Sequence, residues 1–327
     1  MSLTALVIGN MLGAGVFTTT GFAMADLGSP GWVLLAWLVG GALALCGAVS
    51  YGALARLMPV SGGEYFFLSR VVHPLAGFIA GWVSLWAGFT AAIAFAAITF
   101  EAYLLPASLR AAIPENVVAT IAILLAALAH ALHVRRGARL QTAAVAVKLL
   151  LIGGFILFAI ARGDPGGWAG VQAWRDAPPT GFAPAAFATT LMWISFSYSG
   201  YNAAIYVASE AKQASAAVPR AILLGTAFTM VIYLALNAIF ALAPAPDAIA
   251  GQEDVAAIAA RAVAGDAMAN LMRGIIAMAL FTSVSAMIMT GPRVYAQMAD
   301  DGLMPAFLRF GAEVPASAIA LQALLSV

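Results

Sequence analysis

Eight apolar stretches, each long enough to cross a bilayer, dominate this sequence. They lie near residues 3–25, 31–55, 75–105, 116–133, 140–161, 183–209, 219–243 and 265–290, and a ninth opens near Ala316 and runs to Val327. A spanning helix needs about 20 mainly apolar residues. Strands of a membrane barrel are shorter and alternate in polarity; these runs do not alternate, so the expectation is an all-α integral membrane protein. The 327 residues are 63% hydrophobic and 9% charged, against roughly 25% charged in soluble domains. A net charge of +1 without a long Lys/Arg cluster excludes a nucleic-acid partner. The partner implied by composition is the lipid bilayer.

Little in the chain suggests a covalent framework or a metal. Cys46 is the one cysteine, which excludes a disulfide scaffold; in its apolar run it reads as a small core residue. His130 and His133 stand three apart without a third ligand nearby, a poor metal site. A membrane enzyme would need a nucleophile–base pair or a metal cluster inside the spans, and none is visible.

Ala23-Met24-Ala25 has the form of a signal-peptide cleavage site, but no Lys or Arg precedes the apolar part, as a signal requires. With the N-terminus in the cytoplasm, nine Lys/Arg fall in inner loops and five in outer ones, Lys148 being the last of the fifteen. That bias fits the positive-inside rule. Two long outer loops, 162–182 (with Trp168 and Trp174) and 244–264, read as caps over the outer face. No soluble domain interrupts the spans, so one membrane domain is expected over 1–327, in halves of about 1–161 and 183–327.

Two spans carry break signals. The first contains Asn10-Met11-Leu12-Gly13-Ala14-Gly15-Val16-Phe17 and the sixth Phe196-Ser197-Tyr198-Ser199-Gly200-Tyr201-Asn202. Each glycine weakens a helix by about 1 kcal/mol relative to Ala. Non-helical backbone within a bilayer is tolerated only where protein or a cavity surrounds it. Each break would leave a half-helix with free N–H groups, suited to a carboxylate, and one with free carbonyls, suited to an ammonium. Interrupted helices at matching places in two halves point to the substrate site of a transporter. The other reading is close helix packing by small residues, as Gly77-x3-Gly81 suggests.

Lys148 lies inside the fifth span, where a lysine costs about 2.5–3.5 kcal/mol on insertion scales. Two readings are open. It faces a protein interior, where desolvation lets an amine exchange its proton more readily than in water, or it snorkels to the cytoplasmic interface. Glu101 reads as an interface or vestibule residue, Glu210 as a loop ion pair with Lys212, and Asp300-Asp301 as a solvated turn.

Four motifs in order resemble the amino acid–polyamine–organocation permeases across nearly the whole chain. They are Gly13-Ala14-Gly15-Val16-Phe17, Pro59-Val60-Ser61-Gly62-Gly63-Glu64-Tyr65, the sixth-span stretch Phe196–Asn202 followed by Glu210, and Arg293-x3-Gln297-Met298-Ala299-x-Asp301-Gly302-Leu303-x-Pro305. The last departs at Asp300, where the family usually has Arg. The resemblance implies a leucine-transporter-type bundle of inverted repeats with broken first and sixth helices. It implies that Gly13, Ala14 and Gly15 offer N–H groups to a substrate carboxylate. Carbonyls near Phe196, Ser197 and Ser199, beside Gly200, would take the amino group, with Phe196 as an aromatic gate and Tyr201 and Asn202 setting selectivity. It further implies that Lys148, with Ser283 as neighbour, stands where sodium-coupled relatives hold sodium, so that the proton is the coupling ion and no cofactor is needed.

The expected function is therefore proton-coupled amino-acid symport across the cytoplasmic membrane. The alternatives are an amino-acid or polyamine exchanger, a non-transporting sensor, or an inactive fragment, since the family's core has ten helices and this chain ends within the ninth.

Overall fold

The computed structural model describes residues 2–110, 112–132, 134–162, 166–176, 181–311 and 314–327; His133 lies outside them. No strand occurs among the described residues. The helices are α1 (Leu3–Met11), α2 (Gly15–Leu27), α3 (Pro30–Leu57), α4 (Gly63–Val71), α5 (Pro74–Val83), α6 (Ala91–Leu104), α7 (Ala107–Arg110), α8 (Val117–Leu132) and α9 (Val134–Arg162). They continue as α10 (Ala169–Asp176), α11 (Pro184–Ser197), α12 (Ala214–Leu242), α13 (Pro246–Ile249), α14 (Val255–Thr290), α15 (Pro292–Asp300) and α16 (Ala316–Ser326). A π-helical turn, Ser84–Thr90, joins α5 to α6.

Six helical segments are long and apolar enough to cross a membrane, among them Leu3–Leu27 and Pro74–Leu104. This is fewer than the eight expected from the sequence, for two local reasons. The fourth run forms a shorter apolar helix, Val117–Ala131. The sixth is split into α11 and a 3-10 segment, Tyr201–Glu210. The eighth run starts at a real discontinuity: α14 loses helical geometry at Ala264 and at Gly265, whose φ is +76°. Arg273 spans that kink to reach Asp254 at 2.7 Å.

Proline opens several helices at their first position, at Pro30, Pro74 and Pro184, where its missing N–H costs nothing. The interior is a packed helical core in which Trp37, Tyr198 and Tyr233 stack with centroid separations of 4.9–5.7 Å. Outward, large apolar side chains such as Leu43, Val49, Leu150, Leu157 and Val231 are exposed. In water such a belt would aggregate; against lipid it costs nothing, and the chain is a multi-pass membrane protein. Cys46 lies on this exposed side of α3, correcting the expectation of a core residue: the core face of α3 is taken by residues such as Trp37, Ala44 and Ala48.

The glycine pair in α5 serves packing, since a Cβ on Gly77 would strike Ser69 and one on Gly81 would strike Met298. The long connections lie on the helix ends. Trp174 of α10 covers Gly31, Gly170 packs on Ala241 and Leu242, and the Gly251 N–H donates to the Gly21 carbonyl at 2.9 Å.

Two charged-residue expectations need correction, while Asp300 and Asp301 lie exposed at the turn that ends α15, as expected. Glu101 is neither an interface nor a vestibule group. It is buried and caps α8, accepting from the N–H groups of Asn116 (3.1 Å) and Ala119 (2.9 Å), the favoured place for a carboxylate. Glu210 pairs with Arg293 at 2.5 Å and not with Lys212. Asp301 accepts the Tyr65 hydroxyl at 2.6 Å and lies 3.9 Å from Arg70. Burial and that carboxylate push the Tyr65 phenol above its ordinary value.

Candidate functional site

The interrupted first rod leaves helical geometry at Leu12–Ala14, between α1 and α2. The Gly13 N–H turns back to the Met11 carbonyl at 2.8 Å, and the Phe17 N–H restarts the ladder on the Ala14 carbonyl at 2.9 Å. The second rod is interrupted at Tyr198–Gly200. There the Ser199 N–H donates to the Phe196 carbonyl at 3.0 Å, and Gly200 adopts φ +95° before the 3-10 segment begins. That backbone conformation favours glycine.

The two interruptions meet. The Asn10 amide donates to the Gly200 carbonyl at 3.4 Å. A Cβ on Gly15 would stand 2.4 Å from Ser197 Oγ, so only glycine allows the approach. Thr19 and Ser197 share a hydrogen bond at 2.9 Å. The buried Tyr233 hydroxyl lies 2.6 Å from the Met11 carbonyl and 3.0 Å from the Ser197 carbonyl. With one proton to donate, it serves the carbonyl ends of both half-helices. Asn10 Oδ1 is buried at this crossing with no hydrogen-bond partner among the described residues.

Lys148 is fully buried, which removes the snorkelling alternative. Its Nζ reaches the carbonyls of Gly9 (3.4 Å) and Leu12 (3.1 Å) and Thr282 Oγ1 (2.7 Å). Three acceptors match the three donors of an ammonium, at the carbonyl end of α1 where a cation is favoured. The hydroxyl partner is thus Thr282. Ser283, the neighbour expected from the sequence, donates to the Gly9 carbonyl at 3.5 Å and stands 3.3 Å from where a Gly13 Cβ would lie.

Gly13, Ala14, Gly15, Ser197 and Gly200 therefore gather at the crossing, with Lys148 and Ser283 bonded to the first rod beside it. Phe196, expected as a gate, is 64% exposed and stacks on Trp193 at 6.1 Å. Tyr201 and Asn202, expected to set selectivity, engage other elements: Tyr201 packs on Tyr51 at 5.8 Å and over Gly47, and the Asn202 amide is bound by Glu64. Ser199 is exposed. Sequence reasoning missed Tyr233, Thr19 and Thr282. Asn10 was legible as a polar residue beside the glycines.

His130 is buried and bonded to Ser285 at 2.9 Å. No group of metal-ligating residues occurs among the described residues. A cavity of about 1230 Å³ opens at the end of the bundle that carries Arg139, Lys212, Arg220 and Arg293, between the start of α1 and Glu210.

The family model of amino acid permeases matches residues 1–327. The chain is 26% identical over 317 residues to the large neutral amino acids transporter small subunit 2 of Homo sapiens, covering 94% of this chain and 58% of that protein. It is 25% identical to the Asc-type amino acid transporter 1 of Mus musculus, again over 94% of this chain and 59% of that one. To the serine/threonine exchanger SteT of Bacillus subtilis (strain 168) it is 27% identical over 92% of this chain and 67% of that one. It thus spans about three fifths of the length of the first two relatives. These relatives are transporters and not enzymes. With the glycine motif of the first rod meeting the sixth-span motif at one crossing, and a match that runs from end to end, the chain belongs to the amino acid permease family, within the amino acid–polyamine–organocation superfamily.

Proposed function

We propose that this chain carries the substrate site of a secondary amino-acid transporter of the cytoplasmic membrane, with its N-terminus inside. Its bundle is of the leucine-transporter type, one membrane domain over 1–327 whose halves, about 1–161 and 183–327, are inverted repeats. The observation that carries this reading is the crossing itself: two interrupted helices from different halves meet through Asn10 and Gly200 and through Gly15 and Ser197. The N–H groups of Ala14 and Gly15, at the start of α2, suit a carboxylate; the Gly13 N–H, turned to the Met11 carbonyl, would join them only on leaving that bond. The carbonyls of Met11, Phe196 and Ser197 end α1 and α11 and suit an ammonium. The side chains that meet at the crossing, Asn10, Thr19, Ser197, Tyr233 and Ser283, are neutral, so a neutral amino acid fits better than one with a charged side chain. The same absence of acid disfavours a polyamine.

Lys148 supports proton coupling. Loss of its proton leaves two N–H donors for three acceptors and releases a carbonyl of the first break. Substrate binding and proton loss would then bias one element, and access would alternate around the crossing. Exchange is the second reading. It is favoured by the full set of acceptors around the ammonium, which suits a permanent tether, and by a relative whose name is that of an exchanger.

The test is uptake of a panel of labelled neutral amino acids into proteoliposomes. Symport predicts accumulation driven by an inward proton gradient into empty vesicles. Exchange predicts uptake only into vesicles preloaded with amino acid, whatever the gradient. Binding without either uptake would mark a sensor or a chain that needs further segments to transport.

A further inference from the structure

The loop motif Pro59–Tyr65 takes no part in the crossing, yet nearly every residue of it touches the inner half of the second rod or α15. The Ser61 N–H donates to Ser209 Oγ at 2.9 Å, and the Ser209 N–H donates back to Ser61 Oγ at 3.0 Å. Gly63 has φ +60°, and a Cβ there would stand 2.1 Å from the Tyr206 ring. Glu64 holds the Asn202 amide on one carboxylate oxygen, and the Tyr206 hydroxyl on the other at 2.6 Å; Tyr51 faces the same carboxylate. Tyr65 reaches Asp301, at the end of α15, at 2.6 Å. At the far end of the 3-10 segment, Glu210 is paired with Arg293 of α15 through two bonds, at 2.5 and 3.1 Å.

We propose that this loop is a latch. Glu64 and Ser61 pin the segment Tyr201–Glu210 to the start of α4, and Glu210 ties its far end to α15, so that the inner half of the second rod belongs to the static part of the bundle. Glu64 is a positioning residue: it acts through Asn202 and Tyr206 and touches no substrate. A 3-10 segment has poorer internal hydrogen-bond geometry than an α-helix, so its order depends on such external bonds. A carboxylate is suited to the task, because it accepts from several neutral donors at once without offering a proton of its own. It also lies near the start of the segment, where the backbone dipole favours negative charge. The consequence for transport rests on the function proposed above: opening at the inner end then falls to α1, which meets the segment through the apolar side chains Leu3 and Leu6.

Hydrogen–deuterium exchange of the full chain in nanodiscs tests the latch without requiring transport. Glu64→Gln keeps one acceptor oxygen and sets a carboxamide NH2 in place of the other, against either the Asn202 amide or the Tyr206 hydroxyl. Amides of 201–210 should exchange faster by on the order of fivefold to tenfold, while those of 184–197 stay unchanged. The double variant Glu64→Gln/Asn202→Asp exchanges the two groups across the contact and should restore most of the protection, a rescue that general destabilisation cannot give. Ser61→Ala, a smaller change, should speed exchange at Ser209 alone, and serves should Glu64→Gln not fold. Unchanged exchange over 201–210 in Glu64→Gln, or in Ser61→Ala at Ser209, would overturn the latch, as would a double variant no better protected than the single one. None of these outcomes bears on amino-acid uptake, so the latch and the transport reading fail separately.

Discussion

The two interrupted rods meet at one place but are held there by opposite means. The N-terminal half of the first, α1, ends in carbonyls that converge on a cation, Lys148, reaching in from α9. The C-terminal half of the second, Tyr201–Glu210, begins beside an anion, Glu64, reaching in from the first turn of α4. Each charge complements the backbone dipole of the half-helix it holds. The difference lies in what the charge can do. Lys148 is fully buried with three acceptors, two of them backbone carbonyls, so it bonds the first break directly. Glu64 bonds side chains of neutral donors, so its contacts fix a segment without engaging the break itself. On the two proposals above, one half responds and the other stays.

Substitutions can break that contrast. Gly15→Val should have the largest effect, because its side chain must enter space held by Ser197. The rods could then not meet, with a loss of about 3 kcal/mol or more, read as a collapse of thermal stability in detergent and of amino-acid binding. Wild-type stability and binding would remove the crossing from the account. Lys148→Met strands the Leu12 carbonyl, leaves that of Gly9 to Ser283 alone, and should cost about 2–3 kcal/mol. Exchange should rise in α1 and not in 201–210; an equal rise in both would erase the contrast between the halves.

Tyr233→Phe removes the one hydroxyl shared by the Met11 and Ser197 carbonyls. It should cost about 1 kcal/mol and loosen the ends of α1 and α11 together, measured by exchange at residues 11–15 and 197–200. Loosening at one end alone would show that the hydroxyl serves a single rod. Glu101→Gln weakens the cap of α8, far from both breaks. A loss of about 1 kcal/mol or less, with amino-acid binding unchanged, sets the baseline for damage outside the site.

Much of this was legible in the sequence where a residue type has few uses. Glycines and polar residues clustered together inside apolar runs marked both breaks, because helix packing alone calls for small residues and not for the polar ones beside them. Lys148 marked the interior for the same reason. Less legible were residues whose role depends on partners far away in the chain. Tyr233 sits in an ordinary apolar helix, and only folding places its hydroxyl against residues 36 and 222 positions distant. Glu101 looked like an end-of-span charge because the helix it caps starts beyond a loop. Asn202 looked like a selectivity residue because its partner, Glu64, lies 138 positions away. Cys46 failed differently: in a protein solvated by lipid, an apolar neighbourhood does not mean burial.

The central claim is that one small site holds both charges of an amino acid, and binding to purified protein tests it most directly. Neutral L-amino acids that bind should be compared with their N-acetyl and C-amide derivatives, each of which lacks one charge. Binding of the free amino acid with loss of both derivatives is the predicted result; a derivative that binds as tightly as its parent would contradict a site built from the N–H end of one half-helix and the carbonyl ends of two others.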